Sequence, residues 1–172
     1  MVGNRTPVYP DLVLVKEGAP HAKVVLSKHA DEKVKSAAAD LCDIIERMSG
    51  ARLPLVDDSA PVEGPRILVG ESRETIALGI ETPHGYPENE RVILRREGNC
   101  LALLGNDDGV FTGTQFAVTM LLERLGCGWF APDELWQVIP HKETIAVGYL
   151  QVDQTPNFEY RQTWVYRRNP EF

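Results

Sequence analysis

The sequence predicts an α+β fold, with one mixed β-sheet covered by two main helices. Three observations predict it. Two segments repeat apolar residues at helical spacing, and each is closed by a glycine. Two β-type runs meet across Gly98-Asn99 as a hairpin. The order is strand, strand, helix, strand, strand, helix, hairpin, helix, strand, and such mixed order favours α+β.

Each element follows from its own residues. Residues 11–15, Asp-Leu-Val-Leu-Val, read as a short strand, and residues 23–27 as a second after a turn at 18–21. Val34, Ala37, Ala38, Leu41, Ile44, Ile45 and Met48 then fall on one helical stripe. Asp31 is placed to cap that helix and Gly50 to end it. Residues 53–56 form a strand that Pro54 confines to an edge or to a strand start. A polar, proline-rich loop over 57–65 leads to a fully apolar strand at 66–70. A short helix spans 71–78, ending at Gly79, and a loop covers 84–90. The hairpin occupies 91–97 and 99–105. Thr114, Ala117, Val118, Leu121, Leu122 and Leu125 line one face of the second main helix, which Gly126 stops. An aromatic loop, Gly128-Trp129-Phe130-Ala131-Pro132, precedes a last strand at 143–147. From Gln151 onward the pattern weakens. Residues 155–158 read as a linker-like turn and 161–166 as one more strand.

A chain of 172 residues suits one domain plus a tail, large enough to bury a core without disulfides or metals. Its apolar and charged fractions, 43% and 25%, are ordinary for a soluble globular protein. A net charge of −7 argues against an electrostatic nucleic-acid partner. No apolar run reaches transmembrane length, so no membrane partner is expected. Residues 1–10 carry no signal peptide and read as an extension or a cloned start. If a signal was removed, the protein is periplasmic or secreted, so localisation stays open. Residues 167–172 show neither a helix stop nor a polar tail, as at the cut end of a longer chain. Cys42, Cys100 and Cys127 lack metal-ligand or redox spacing and read as small buried hydrophobes.

Motifs for catalysis fail one at a time. Gly105-Asn-Asp-Asp-Gly109 precedes a helix, but Gly113-Thr114-Gln115 is not a P-loop ending, and the dinucleotide spacing G-x-G-x-x-G is absent. That segment reads as a strand-to-helix turn, and no cofactor is expected. His21, His29, His84 and His141 have no partner at ligand spacing, so no metal is expected and each reads as a loop histidine. A G-x-S-x-G elbow is missing. Asp133 and Glu134 are adjacent, and on a strand they would face opposite ways, unlike the paired carboxylates of a glycosidase. No catalytic residue is assigned.

Two features invite a binding role. Trp129, Phe130 and Trp136 lie in or beside a proline-bearing loop, where they either pack beneath it or meet another domain or a sugar ring. Phe158, Tyr160, Arg161, Trp164, Tyr166, Arg167 and Arg168 alternate aromatic and cationic side chains. They read either as a strand of a following domain or as groups that stack on sugars and clamp carboxylates.

The order of several segments resembles a known family. Leu104-Gly105, then residues 108–113 (Asp-Gly-Val-Phe-Thr-Gly), then 121–132 (Leu-Leu-Glu-Arg-Leu-Gly-Cys-Gly-Trp-Phe-Ala-Pro), resemble the end of the N-terminal domain of α-glucuronidases. Residues 37–41 (Ala-Ala-Ala-Asp-Leu), Met48-Ser49-Gly50 with Leu53-Pro54-Leu55, and 67–70 (Ile-Leu-Val-Gly) resemble its first helix, the exit from that helix and its Val-Gly strand. The likeness covers about residues 11 to 150. It implies the accessory domain shared with family-20 hexosaminidases, non-catalytic itself and packed beside a TIM barrel. Residues 151–172 would then be the linker and first-strand region of that barrel, the chain's own partner. Pro156-x-Phe158-x-x-Arg161 looks like the start of the first barrel strand, which makes Arg161 the substrate-contact candidate. Gln162-Thr163-Trp164 departs from the hexosaminidase pattern that comes after such an arginine. Trp129, Phe130, Trp136 and Trp164 are then candidates for a domain interface or for stacking on an oligo- or polysaccharide.

Overall fold

The central strands of the main sheet alternate their side chains between two covered faces, and the sheet has six strands among the described residues. They are β3 (Lys23–Leu26), β4 (Leu55–Asp57), β5 (Arg66–Val69), β6 (Val92–Glu97), β7 (Cys100–Gly105) and β11 (Gln151–Gln154). A computed structural model of the chain describes residues 10–87, 89–130 and 134–156. The sheet runs β11-β6-β7-β5-β3-β4. Pairs β4–β3, β3–β5 and β5–β7 are parallel, whereas β7–β6 and β6–β11 are antiparallel. Parallel neighbours need long crossovers, and antiparallel ones close by a tight turn such as Gly98-Asn99.

Helices α1 (Glu32–Ser49) and α3 (Gly113–Arg124) cover one face. Val24, Ile67, Leu94, Leu101 and Leu103 point into that layer, together with Leu41, Ile45, Met48, Val118 and Leu121. Their sequence neighbours Val25, Leu68, Ile93, Ala102 and Leu104 point the other way. There Ile80, Leu78 and Val62 cover them, beside the short helix α2 (Arg73–Ala77). Double coverage explains why β5 and β7 read as continuous apolar runs. Asp31 accepts a hydrogen bond from the Val34 N–H and starts α1. Gly50, at φ 77°, ends it by donating to the Glu46 carbonyl. Burying Leu41, Ile45 and Met48 contributes roughly 1.5–3 kcal/mol for each side chain.

Two smaller sheets accompany the mixed one. Strand β1 (Leu12–Lys16) pairs with β2 (Ala19–Pro20) and with β10 (Ile145–Val147), all antiparallel. Strands β8 (Gly128–Trp129) and β9 (Gln137–Val138) form a two-stranded ribbon. Arg96 joins the large sheet to the first of these. It is 3% exposed and donates to the carbonyls of Val147 and Pro10.

Gln151–Gln154, which read as the start of the following unit, add an edge strand with Gln151 opposite Arg95 and Gln154 opposite Val92. An Arg91–Asp153 ion pair at 2.7 Å holds it there. The alternation that normally marks a strand is weak here because one edge and most of both faces meet water.

Candidate docking surface

The turn after β7 builds one wall of an open groove. Gly105 and Gly113 are needed there for close approach. A Cβ on Gly105 would lie 2.1 Å from the carbonyl carbon of Gly113, so backbone meets backbone where the strand hands over to α3. Asn106 locks the turn: its side-chain oxygen accepts from the Asp108 N–H, and its backbone carbonyl from the Gly113 N–H. Lys33 reaches across from α1. Its ammonium donates to the carbonyls of Asp107, Gly109 and Phe111 at 2.7, 2.8 and 2.8 Å. Asp108 ties in the preceding loop by accepting from the Gly85 N–H, which holds its carboxyl below the usual range, and by meeting His84. Tyr86 packs edge-on against Phe111 with ring centres 5.0 Å apart.

The groove beyond this wall has a volume of about 950 Å³. Its floor and sides combine Val110, Phe111, Phe116 and Met120 with Val92, Gln154 and Pro156. Glu90 and Glu123 bring acidic groups to the lining. Val110 and Phe116 are 76% and 56% exposed.

A second apolar patch sits on the β8–β9 ribbon. Trp129 lies opposite Gln137, and the Phe130 N–H donates to the Trp136 carbonyl at 3.0 Å. Trp129 is half-buried and packs on the core, which satisfies it internally. Phe130, Leu135 and Trp136 turn outward, 75%, 90% and 58% exposed. Phe130 lies over Gly128, where a Cβ would come within 3.0 Å of its ring. Of the four aromatic candidates, the ribbon therefore unites Trp129, Phe130 and Trp136 and presents the last two. Arg161 and Trp164 lie outside the described residues.

No thiol at these surfaces offers a nucleophile. Cys42, Cys100 and Cys127 are buried and unpaired with one another, and burial raises each of them. Cys100 is pushed up to about 12, first by burial and then by its hydrogen bond to Glu74. Among the described residues no group of three or more His, Cys, Asp or Glu side chains could hold a metal ion.

Sequence reasoning missed Phe116, Val110 and Leu135 as surface features. A signal was present for Phe116. It falls off the Thr114–Ala117–Val118–Leu121–Leu122 stripe of α3, and a large aromatic on the solvated side of an amphipathic helix is expected at the surface.

Known structures share this fold. The chain superposes on part of a family GH115 4-O-methyl-α-glucuronidase with specificity for decorated arabinogalactans, with a TM-score of 0.61 and 22% identity. That alignment covers 87% of this chain and 19% of the enzyme. A GH20 β-N-acetylhexosaminidase from Streptomyces coelicolor A3(2) superposes with a TM-score of 0.52 and 13% identity, covering 89% of this chain and 25% of that one. No family profile matches the sequence, and no curated protein does. The chain thus has the α+β fold of a domain that occurs within glycoside hydrolases, and it spans a quarter or less of either enzyme's length.

Proposed function

We propose that this chain is the non-catalytic N-terminal domain of a glycoside hydrolase, and that it packs against and supports a catalytic barrel. The observation that carries the reading is the lopsided coverage: nearly all of this chain matches a small part of two enzymes that act on glycosidic bonds. The exposed aromatics fit it as well, since large apolar side chains turned outward suit an interface with a second domain. The test compares this chain with its gene product extended by a barrel-sized segment of about 250 residues. The extended protein is expected to cleave aryl glucuronides or N-acetylhexosaminides, and this chain none. Hydrolysis by this chain alone, or an extension with no barrel, refutes the proposal.

A carbohydrate-binding module is the second reading, favoured by Phe130 and Trp136 standing exposed on one ribbon. Titration with acidic and N-acetylated oligosaccharides separates the two. A Kd below about 1 mM, close to 4 kcal/mol of binding free energy, that Trp136→Ala abolishes would establish the module.

A further inference from the structure

We infer that the groove between α3 and the β6–β11 edge is a binding site for a non-acidic oligosaccharide, with Phe116 as its stacking surface. Its floor forms where α3 meets the sheet: the Gln154 side-chain amide donates to the Met120 sulfur at 3.7 Å. Phe116, Thr119, Met120 and Glu123 fall at helical spacing, so one face of α3 lines the groove with a ring, a hydroxyl, a thioether and a carboxylate. The volume of about 950 Å³ lies within the range of small-ligand sites, roughly 300–1,000 Å³. The polar groups of the lining are mainly acceptors. Thr119 already donates its hydroxyl proton to the Gln115 carbonyl at 3.0 Å. The Asn106 amide nitrogen donates to the carbonyls of Gly85 and Asn89. Glu90 and Glu123 bring carboxylates, which when ionised only accept. Among the described residues no Lys, Arg or His lines the groove. A matching ligand therefore supplies hydroxyl donors, lays apolar C–H surface on the ring and carries no carboxylate of its own. A non-acidic sugar chain has all three properties. A uronate chain would set like charge against Glu90 and Glu123, and a wholly apolar occupant would bury the acceptors unpaired. Sugar binding here needs no barrel, so this site and the supporting role proposed above stand or fall separately.

Calorimetric titration of the 172-residue protein with cellotetraose, mannotetraose, N-acetylchitotetraose and tetragalacturonate tests it. At least one of the neutral sugars is expected to bind with a Kd below about 1 mM, and tetragalacturonate at least about tenfold more weakly. Phe116→Ala, at an exposed position, is expected to weaken the neutral sugar about tenfold, while Trp136→Ala leaves its Kd unchanged. Hydrogen exchange at the amides of α1 and β7 is expected to stay as in the unaltered chain, so that the loss in Phe116→Ala reads the groove and not the fold. A Kd above about 1 mM for every neutral sugar overturns the inference, and so does tetragalacturonate binding as tightly as they do. Binding that Phe116→Ala leaves intact overturns it too. Loss of binding in Trp136→Ala has the same force, because the sugar would then sit on the β8–β9 ribbon.

Discussion

Replacing Lys33 with methionine tests how the groove wall is held. Methionine keeps much of the lysine stem's bulk and removes the ammonium. Three carbonyls at 2.7–2.8 Å then lose their donor: those of Asp107, Gly109 and Phe111. A hydrogen bond to a charged group contributes about 1.5–3 kcal/mol net. The Gly109 bond is exposed, and water replaces it at little cost. The other two are part-buried, and at the lower end of that range they sum to about 3 kcal/mol. For a domain of this size that is a fall in Tm of about 6–12 °C. Urea unfolding followed by circular dichroism reads the loss, and hydrogen exchange locates it. The amides of Asp108 and Phe111, bonded within the turn, are expected to exchange faster. Lys35→Met is the control, because among the described residues Lys35 pairs with Glu32 at the surface. A loss below about 1 kcal/mol with unchanged exchange at 107–112 refutes the argument that Lys33 holds the wall.

Gly105→Ala drives a methyl into the Gly113 backbone, which cannot yield as a side chain would. A loss above about 3 kcal/mol is expected, and a melting curve within about 2 °C of the unaltered chain refutes the close-approach argument. Glu74 supplies the pH dependence. Hydrogen bonds from Arg66 hold its carboxyl below the ordinary 4.5, against an opposing push from burial. Its folded value is the lower one, so its stabilisation is complete above pH 4.5 and disappears as pH falls through the folded value. Glu74→Gln is expected to flatten the acid limb of a urea-midpoint profile between about pH 5 and 3 relative to the unaltered chain. Identical acid limbs refute it.

Both main helices and the hairpin were legible because local residues decide them. Asp31, the 34–48 stripe and Gly50 specify α1 without help from the rest of the chain. Gly98-Asn99 specifies the β6–β7 turn in the same way. Edge strand β11 was not legible, since Gln-Val-Asp-Gln carries no β pattern and is held by its partner β6 and by Arg91. The separation of β1 and β10 into their own sheet was equally hidden, because strand partners are chosen by topology rather than by either strand's residues. Nothing in the residues around Lys33 marks its role. It is tied to a turn 74 to 78 residues away, at a distance no periodicity reports.

By itself the sequence determined the α+β class, the helix ends, the buried thiols and the aromatic content of the ribbon and tail. These depend on spacing and side-chain chemistry within a few residues. Tertiary structure alone decided where the sheet stops, which tryptophan is satisfied by the core, and that Phe116 and Val110 face a groove at the point where the chain leaves the sheet. Those outcomes depend on which distant segments pack together. Burial is a property of that packing and not of any single residue.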